Sequence, residues 1–222
     1  MTVSTYVGPV DSVNRAGRLA LVRTTRDQLV HVAVQLLDEG GPAAVTLREV
    51  GRRSGVSHNA PYRHFEDKEE LLAAVAAREL RKQARAESGR DARAPIAALR
   101  RRMDAYIRWA TRYPARFKLT FGPWSRAWPE LGEAAQEARV VVVGLVSAAQ
   151  QSGDLPPGQP ERVAALILAT AHGAVDLALA GHLSPSGRGK ASPVGLVEDL
   201  FRALANEKTG GVAGLEVGGR VS

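Results

Sequence analysis

The stretch from residue 46 to residue 64 constrains this chain most. Thr46-Leu47-Arg48-Glu49 has the form of a capping box, with the Thr46 hydroxyl placed to accept the Glu49 amide proton and the Glu49 carboxylate placed to accept the Thr46 amide proton. A helix begins there and ends before Gly55, a residue free to take positive φ in a tight turn. Val56 plugs the junction, and Ser57 caps a third, short helix running to about His64. Leu47 and Val50 face inward. The product is a helical corner whose second arm presents its start to the outside. Ahead of it, Thr24 with Asp27 reads as another capping box; Leu29, Ala33, Leu36 and Leu37 then share one helical face until Gly40-Gly41-Pro42 stops the run. Behind it, Asp67 with Glu70 starts a fourth helix through Leu71, Leu72, Val75 and Leu80.

The rest of the chain is also helical by period. Segments from about Pro95 to Tyr113, from Pro114 through Phe121, from about Pro129 to Gly153, from about Pro160 to His182, and around Val194 to Leu204 each open at or near a proline or end at a glycine. The segment beginning at Pro160 is apolar on nearly every side, which predicts burial all round, with another subunit as one neighbour. No strand pattern and no internal repeat is present. The expected architecture is all-α: an N-terminal three-helix helix-turn-helix domain joined by a linking helix to a helical ligand-binding and dimerisation domain. Its boundaries fall at a flexible basic tail 1–23, a helix-turn-helix domain 24–75, a helical domain 76–206 and a flexible Gly-rich tail 207–222.

Composition narrows the function. With no cysteine there is no disulfide, thiolate metal site or cysteine nucleophile, and the fold must hold by packing. The five histidines His31, His58, His64, His172 and His182 lack metal-ligand pairing, and no phosphate-binding glycine loop follows a strand, so no metal, cofactor or enzymatic centre is expected. A formal charge of +7 favours an anionic partner. The N-terminus lacks the order of a secretory signal and no run reads as the ~20 apolar residues that cross a bilayer. The expectation is a cytoplasmic protein without a membrane partner.

A DNA-binding corner needs a supporting helix, a tight turn, and a second helix whose start enters a major groove about 12 Å wide. Residues 46–64 supply all three. The stretch from Thr25 to Val75 also closely resembles the DNA-binding domain of the TetR family of bacterial regulators. The matching residues are Leu37-Asp38-Glu39-Gly40-Gly41, Val45-Thr46-Leu47-Arg48-Glu49-Val50, Ser54-Gly55-Val56-Ser57, Tyr62-Arg63-His64-Phe65 and Lys68-Glu69-Glu70-Leu71-Leu72. The resemblance implies that Thr46, Tyr62, His64 and Lys68 contact phosphates and that Arg48 lies near the backbone or a base edge. Ser57, His58, Asn59, Ala60 and Pro61 would lie in the groove, with Phe65 in the core. His58 and Asn59 are the expected readers of sequence, since asparagine can contact adenine N6 and N7 together. Two residues depart from the commoner family pattern: Gly51 replaces a more usual alanine, and Asn59-Ala60-Pro61 replaces a trio such as Gly-Thr-Leu. A phosphate at Lys68 would also meet free amides at the start of its helix.

The second half resembles the family less closely. Tyr113-Pro114-Ala115-Arg116-Phe117 and the His172-Gly173 pair resemble a subfamily with a His-Gly-containing, WHG-type regulatory domain. The aromatic cluster Tyr106, Trp109, Tyr113, Phe117 and Phe121 is the candidate pocket, with His172 and Asp176 as its polar groups; plain core packing is the alternative reading of the same spacing. The implied function is a DNA-binding transcriptional regulator: a homodimer on an inverted-repeat operator, released by a small apolar effector. The competing classes are a helical DNA-associated or scaffold protein without ligand control and, further off, an enzyme.

Overall fold

The structure is a computed structural model, described here for residues 24–85 and 94–206. Both terminal tails and residues 86–93 lie outside those residues. The elements run α1 (Thr25–Ala44), α2 (Leu47–Arg53), a 3-10 turn (Pro61–Arg63), α3 (Lys68–Arg85), α4 (Pro95–Arg112), α5 (Pro114–Thr120), α6 (Pro129–Gln151), α7 (Pro160–Leu179) and α8 (Pro193–Asn206). No strand forms among the described residues; a single bridge pairs Ser184 with Gly189.

The local chemistry sets these limits. At α1 the capping box is complete: Thr24 Oγ1 accepts from the Asp27 amide at 3.1 Å, and Asp27 Oδ2 accepts from the Thr24 amide at 3.3 Å. Helical geometry fails at Gly40 and at Gly41, whose φ is +67°, as the Gly-Gly-Pro sequence leads one to expect. At α2 only half of the expected box forms. Thr46 Oγ1 caps the Glu49 amide at 3.1 Å, whereas the Glu49 carboxylate accepts from Arg52 (2.8 and 2.7 Å) and Arg53 (2.8 Å). Two guanidiniums make charge-assisted bonds stronger than one neutral amide would. Prolines open α4 to α8 at their first position, where the missing amide costs nothing.

Packing divides along α3. Leu71, Leu72 and Val75 belong to a core with Leu29, Leu36 and Leu37 of α1, Val50 of α2, and Phe65. Ala77 and Leu80 instead meet Ala134 of α6. The larger C-terminal core joins α4, α6, α7 and α8 through Leu99, Met103, Ile107, Val146, Ile167 and Phe201. The halves are tied by ion pairs: Arg26 and Arg81 both reach Glu130, and Arg116 grips Asp38. α3 thus runs from the N-terminal core to its contact with α6.

Within the subunit α7 is buried on one side: Ala164, Ile167, Ala171, Ala174 and Val175 face the core, while Leu166 and Leu177 lie on an open face. One expectation needs correction: by length and composition α7 is apolar enough to cross a bilayer, with a mean hydropathy of 1.5. Packing against α4, α6 and α8 accounts for its inward face.

Candidate nucleic-acid interface

The turn after α2 is a Schellman closure. The Gly55 amide donates to the Arg52 carbonyl and the Val56 amide to the Gly51 carbonyl, each at 3.3 Å, with Gly55 at φ +66°. Val56 packs on the N-terminal core. The next segment differs from expectation: residues 57–60 form a turn, and only Pro61–Arg63 are helical, as a 3-10 turn with no side-chain cap. Proline explains this. Pro61 has no amide to bond the Ser57 carbonyl four residues back, so the bonds run three residues, from Ala60 to Ser57 and from Arg63 to Ala60.

Pro61 was expected in the groove. It is buried instead, where a Cβ added at Gly51 would stand 2.8 Å from its Cγ. The two departures from the commoner family pattern are therefore one contact, glycine making room for the proline ring. That contact turns the neighbouring side chains outward. Ser57, His58, Asn59, Tyr62 and His64 are exposed, and Ala60 is partly so. The Tyr62 ring is 52% exposed, too open for a core tyrosine, and lies 6.0 Å from the His58 ring. Thr46, Arg48 and His58 line one shared concavity with Arg52. Thr46 accepts one bond as a cap and keeps its hydroxyl proton to donate.

Lys68 is partly buried in the first turn of α3. One amide there is already taken, since Asp67 Oδ1 accepts from the Glu70 amide at 2.8 Å. A phosphate would therefore depend more on the ammonium than on free amides. Arg126 offsets the nearby acids by pairing with Glu66 (2.8 Å) and Asp67 (3.4 Å). Arg63, exposed between Tyr62 and His64, and Arg52, in the concavity, share this face and were not among the expected contacts. Spacing marks Arg63, which lies between two expected contacts. Nothing local marks Arg52, because Glu49 holds it.

Comparison with known proteins agrees with this geometry. Residues 29–75 match the model described as bacterial regulatory proteins, tetR family, and residues 99–204 match the tetracyclin repressor-like C-terminal domain. The chain belongs to the TetR family. That family is one of bacterial regulatory proteins. The HTH-type transcriptional repressor Rv3405c of Mycobacterium tuberculosis (strain ATCC 25618 / H37Rv) is 40% identical over 47 residues, 21% of this chain. The alignment spans only 25% of that relative's length. A solved protein with unknown function from Rhodococcus sp. RHA1 is 27% identical with a TM-score of 0.68, covering 86% of this chain and 98% of that one. A TetR transcriptional regulator from Rhodococcus sp. RHA1 shares the fold at 20% identity and a TM-score of 0.57, covering 84% and 96%. These matches speak for the TetR family as a whole and not for its His-Gly subdivision.

In the TetR-like C-terminal half the expected pocket residues separate into two groups. Phe117 and Phe121 close on His172, with ring centroids at 4.7 and 5.1 Å, and the Tyr106 hydroxyl meets His172 Nδ1 at 3.0 Å. Burial raises the Tyr106 pKa, so the phenol stays protonated. Trp109 stays in the cluster, its ring 6.2 Å from Tyr106 and 6.4 Å from Phe117 while its Nε1 donates to Glu79 at 3.0 Å; Tyr113 lies apart, under the Arg116 guanidinium. Asp176 is exposed, and the histidine partner is Tyr106. The open volume lies beside this cluster: a cavity of about 170 Å³ among α3 to α7, lined by Leu80, Gln83, Arg102, Met103, Tyr106, Thr120, Phe121, Val142 and Leu168 with others. Of the expected pocket residues, Tyr106 and Phe121 reach it. Gln83, Arg102 and Thr120 escape a search for aromatic spacing because they are polar residues on largely apolar faces.

Proposed function

We propose that this TetR-family regulator is a homodimeric repressor that reads an inverted-repeat operator and leaves it when a small molecule fills the cavity between α3 and α7. The exposed row His58, Asn59 and Tyr62, projected by the Gly51–Pro61 contact, carries the reading. One short element reads too few bases to be selective in a genome, and a two-fold pair solves that with half-sites about 34–36 Å apart. The regulator acts in the cytoplasm, where its DNA is.

Control follows from α3. Its first half packs in the DNA-binding core, while Leu80 and Gln83 wall the cavity. A ligand that favours one tilt of α3 changes the spacing of the two reading elements. Coupling of about 1–3 kcal/mol would weaken operator binding roughly 5–150-fold.

Titrating operator variants by fluorescence anisotropy at several salt concentrations tests the reading. Asn59→Ala should change which variants are preferred, at about 1–3 kcal/mol per base contact. Lys68→Ala should weaken all of them alike and reduce the salt slope by about one ion. Binding without sequence preference would favour a DNA-associated scaffold instead. An unchanged salt slope would remove Lys68 from the phosphate contacts.

A further inference from the structure

The cavity has a polar end. Thr120, only 6% exposed, has its Oγ1 buried with no hydrogen-bond partner, and Gln83 Nε2 is likewise buried and unpartnered. Both residues line the cavity. Native proteins leave few such groups unsatisfied, and those that remain ask for an explanation such as a ligand. Two arginines also line it, the exposed Arg139 and the buried Arg102, which donates to the Gln83 carbonyl, whereas among the described residues no aspartate or glutamate does. The remaining wall is apolar: Leu80, Met103, Phe121, Val142 and Leu168.

We infer that the cavity binds a small amphipathic acid: a body of about one aromatic ring with a carboxylate, or an equivalent anionic acceptor, held by Gln83 Nε2 and Thr120 Oγ1. This rests on and deepens the reading of the C-terminal half as a sensor, adding an anionic head to the small apolar effector expected from the sequence. Volume sets the size. An apolar cavity of about 150 Å³ takes benzene, and drug-sized ligands need roughly 300 Å³ or more. At about 170 Å³ this one fits a single ring and a short head group. Chemistry sets the head. The Gln83 amide nitrogen is a donor only, the Thr120 hydroxyl can donate, and two guanidiniums repel a cation while favouring an anion.

Calorimetric titration of the full-length protein with benzoate, toluene and benzylammonium tests this. Benzoate should bind at least about tenfold more tightly than the other two. Thr120→Val and Gln83→Leu should each weaken benzoate about five- to tenfold, the range for one lost hydrogen bond, and leave toluene unchanged. Thr120→Val removes a hydroxyl that has no partner, so the unliganded variant should melt at the same temperature or higher. Toluene or benzylammonium matching benzoate, benzoate affinity indifferent to both substitutions, or no binding of any probe would overturn the inference. So would a large fall in the melting temperature of Thr120→Val. Operator affinity, measured in parallel, separates the two claims. If benzoate binds in the expected order and the operator stays bound, the site stands and effector-driven release fails.

Discussion

Gly51 and Pro61 show how one contact between two residues can orient the proposed reading surface. A methyl group at position 51 would come within 2.8 Å of Pro61 Cγ and 3.4 Å of its Cδ, and a proline ring in a short turn cannot swing aside as a long side chain would. In an open helix, alanine for glycine gains about 1 kcal/mol. Here overpacking costs about 1–3 kcal/mol and outweighs that gain. Gly51→Ala should therefore lower stability by about 1 kcal/mol in urea denaturation and weaken operator binding by shifting Asn59 and Tyr62. Pro61→Ala in the same chain should relieve part of the loss, seen as a positive coupling in a double-mutant cycle. A more stable Gly51→Ala protein with unchanged DNA affinity would show that the turn yields freely. Each residue was visible in the sequence as a separate oddity. Their pairing was not, because the Schellman turn at Gly55, and not chain proximity, brings them together.

At the scale of elements, charge fixes how α2 and α5 are held. Hydrogen bonds from Arg52, then Arg53, lower the Glu49 pKa from 4.5 to about 2. A depressed carboxylate contributes stability that is whole above its unfolded pKa and lost as pH falls toward the folded one. The contribution is therefore present at neutral pH and disappears between about pH 4.5 and 2. Glu49→Gln should flatten the acid limb of a stability–pH curve in that window; an unchanged limb would show the three side chains to be too mobile to matter. α5 is latched differently. Arg116 donates to Asp38 of α1 (Nε to Oδ1, 2.8 Å) and to Glu79 of α3 (3.3 Å), and Glu79 is 2% exposed. Removing Arg116 strips an ion-pair partner from a buried charge, which typically costs about 3–5 kcal/mol. Arg116→Met should be severely destabilised on thermal melting. Asp38→Asn, at the more exposed end, should cost about 1 kcal/mol or less and should loosen the link between cavity and DNA-binding half. Comparable losses from the two would mean that Glu79 is not held by Arg116. The helices themselves were legible, since caps, glycines and prolines act over four residues. This latch was not, because its members lie up to 78 residues apart.

For the whole molecule, the open question is which surface the proposed dimer uses. The apolar pattern of the sequence makes α7 and α8 together the candidates for a four-helix interface, with Val197, Leu200 and Phe201 the α8 positions among which a partner-facing residue would be sought. The structure turns Val197 (3% exposed) and Phe201 (1%) into the subunit's own core, because α8 needs an apolar face against α4 and α7 before it can offer one outward. A charge at either would unfold the domain. The unfilled face belongs to α7: Leu166 and Leu177, 46% and 47% exposed, stand three turns apart on one side, with Thr170 and Gly173 between them, and Val194 of α8 is 37% exposed. A Cβ at Gly173 would meet nothing within 4 Å, so packing inside the subunit does not demand glycine there. A close approach by the symmetry-related α7 would, since a two-fold interface sets the same surface against itself. The isolated subunit and the dimer then respond in opposite senses to a larger residue at 173. Gly173→Leu should raise helix propensity by up to about 1 kcal/mol and leave the fold intact by circular dichroism. It should nevertheless shift sedimentation toward the monomer and, with the second reading element gone, abolish tight binding to the inverted repeat. Leu177→Glu should do the same through a buried charge in the interface. If both variants sediment as dimers and hold the operator, the two-fold axis does not run through α7. A design that charges only Leu200, half-buried beside it on α8, would then locate the interface.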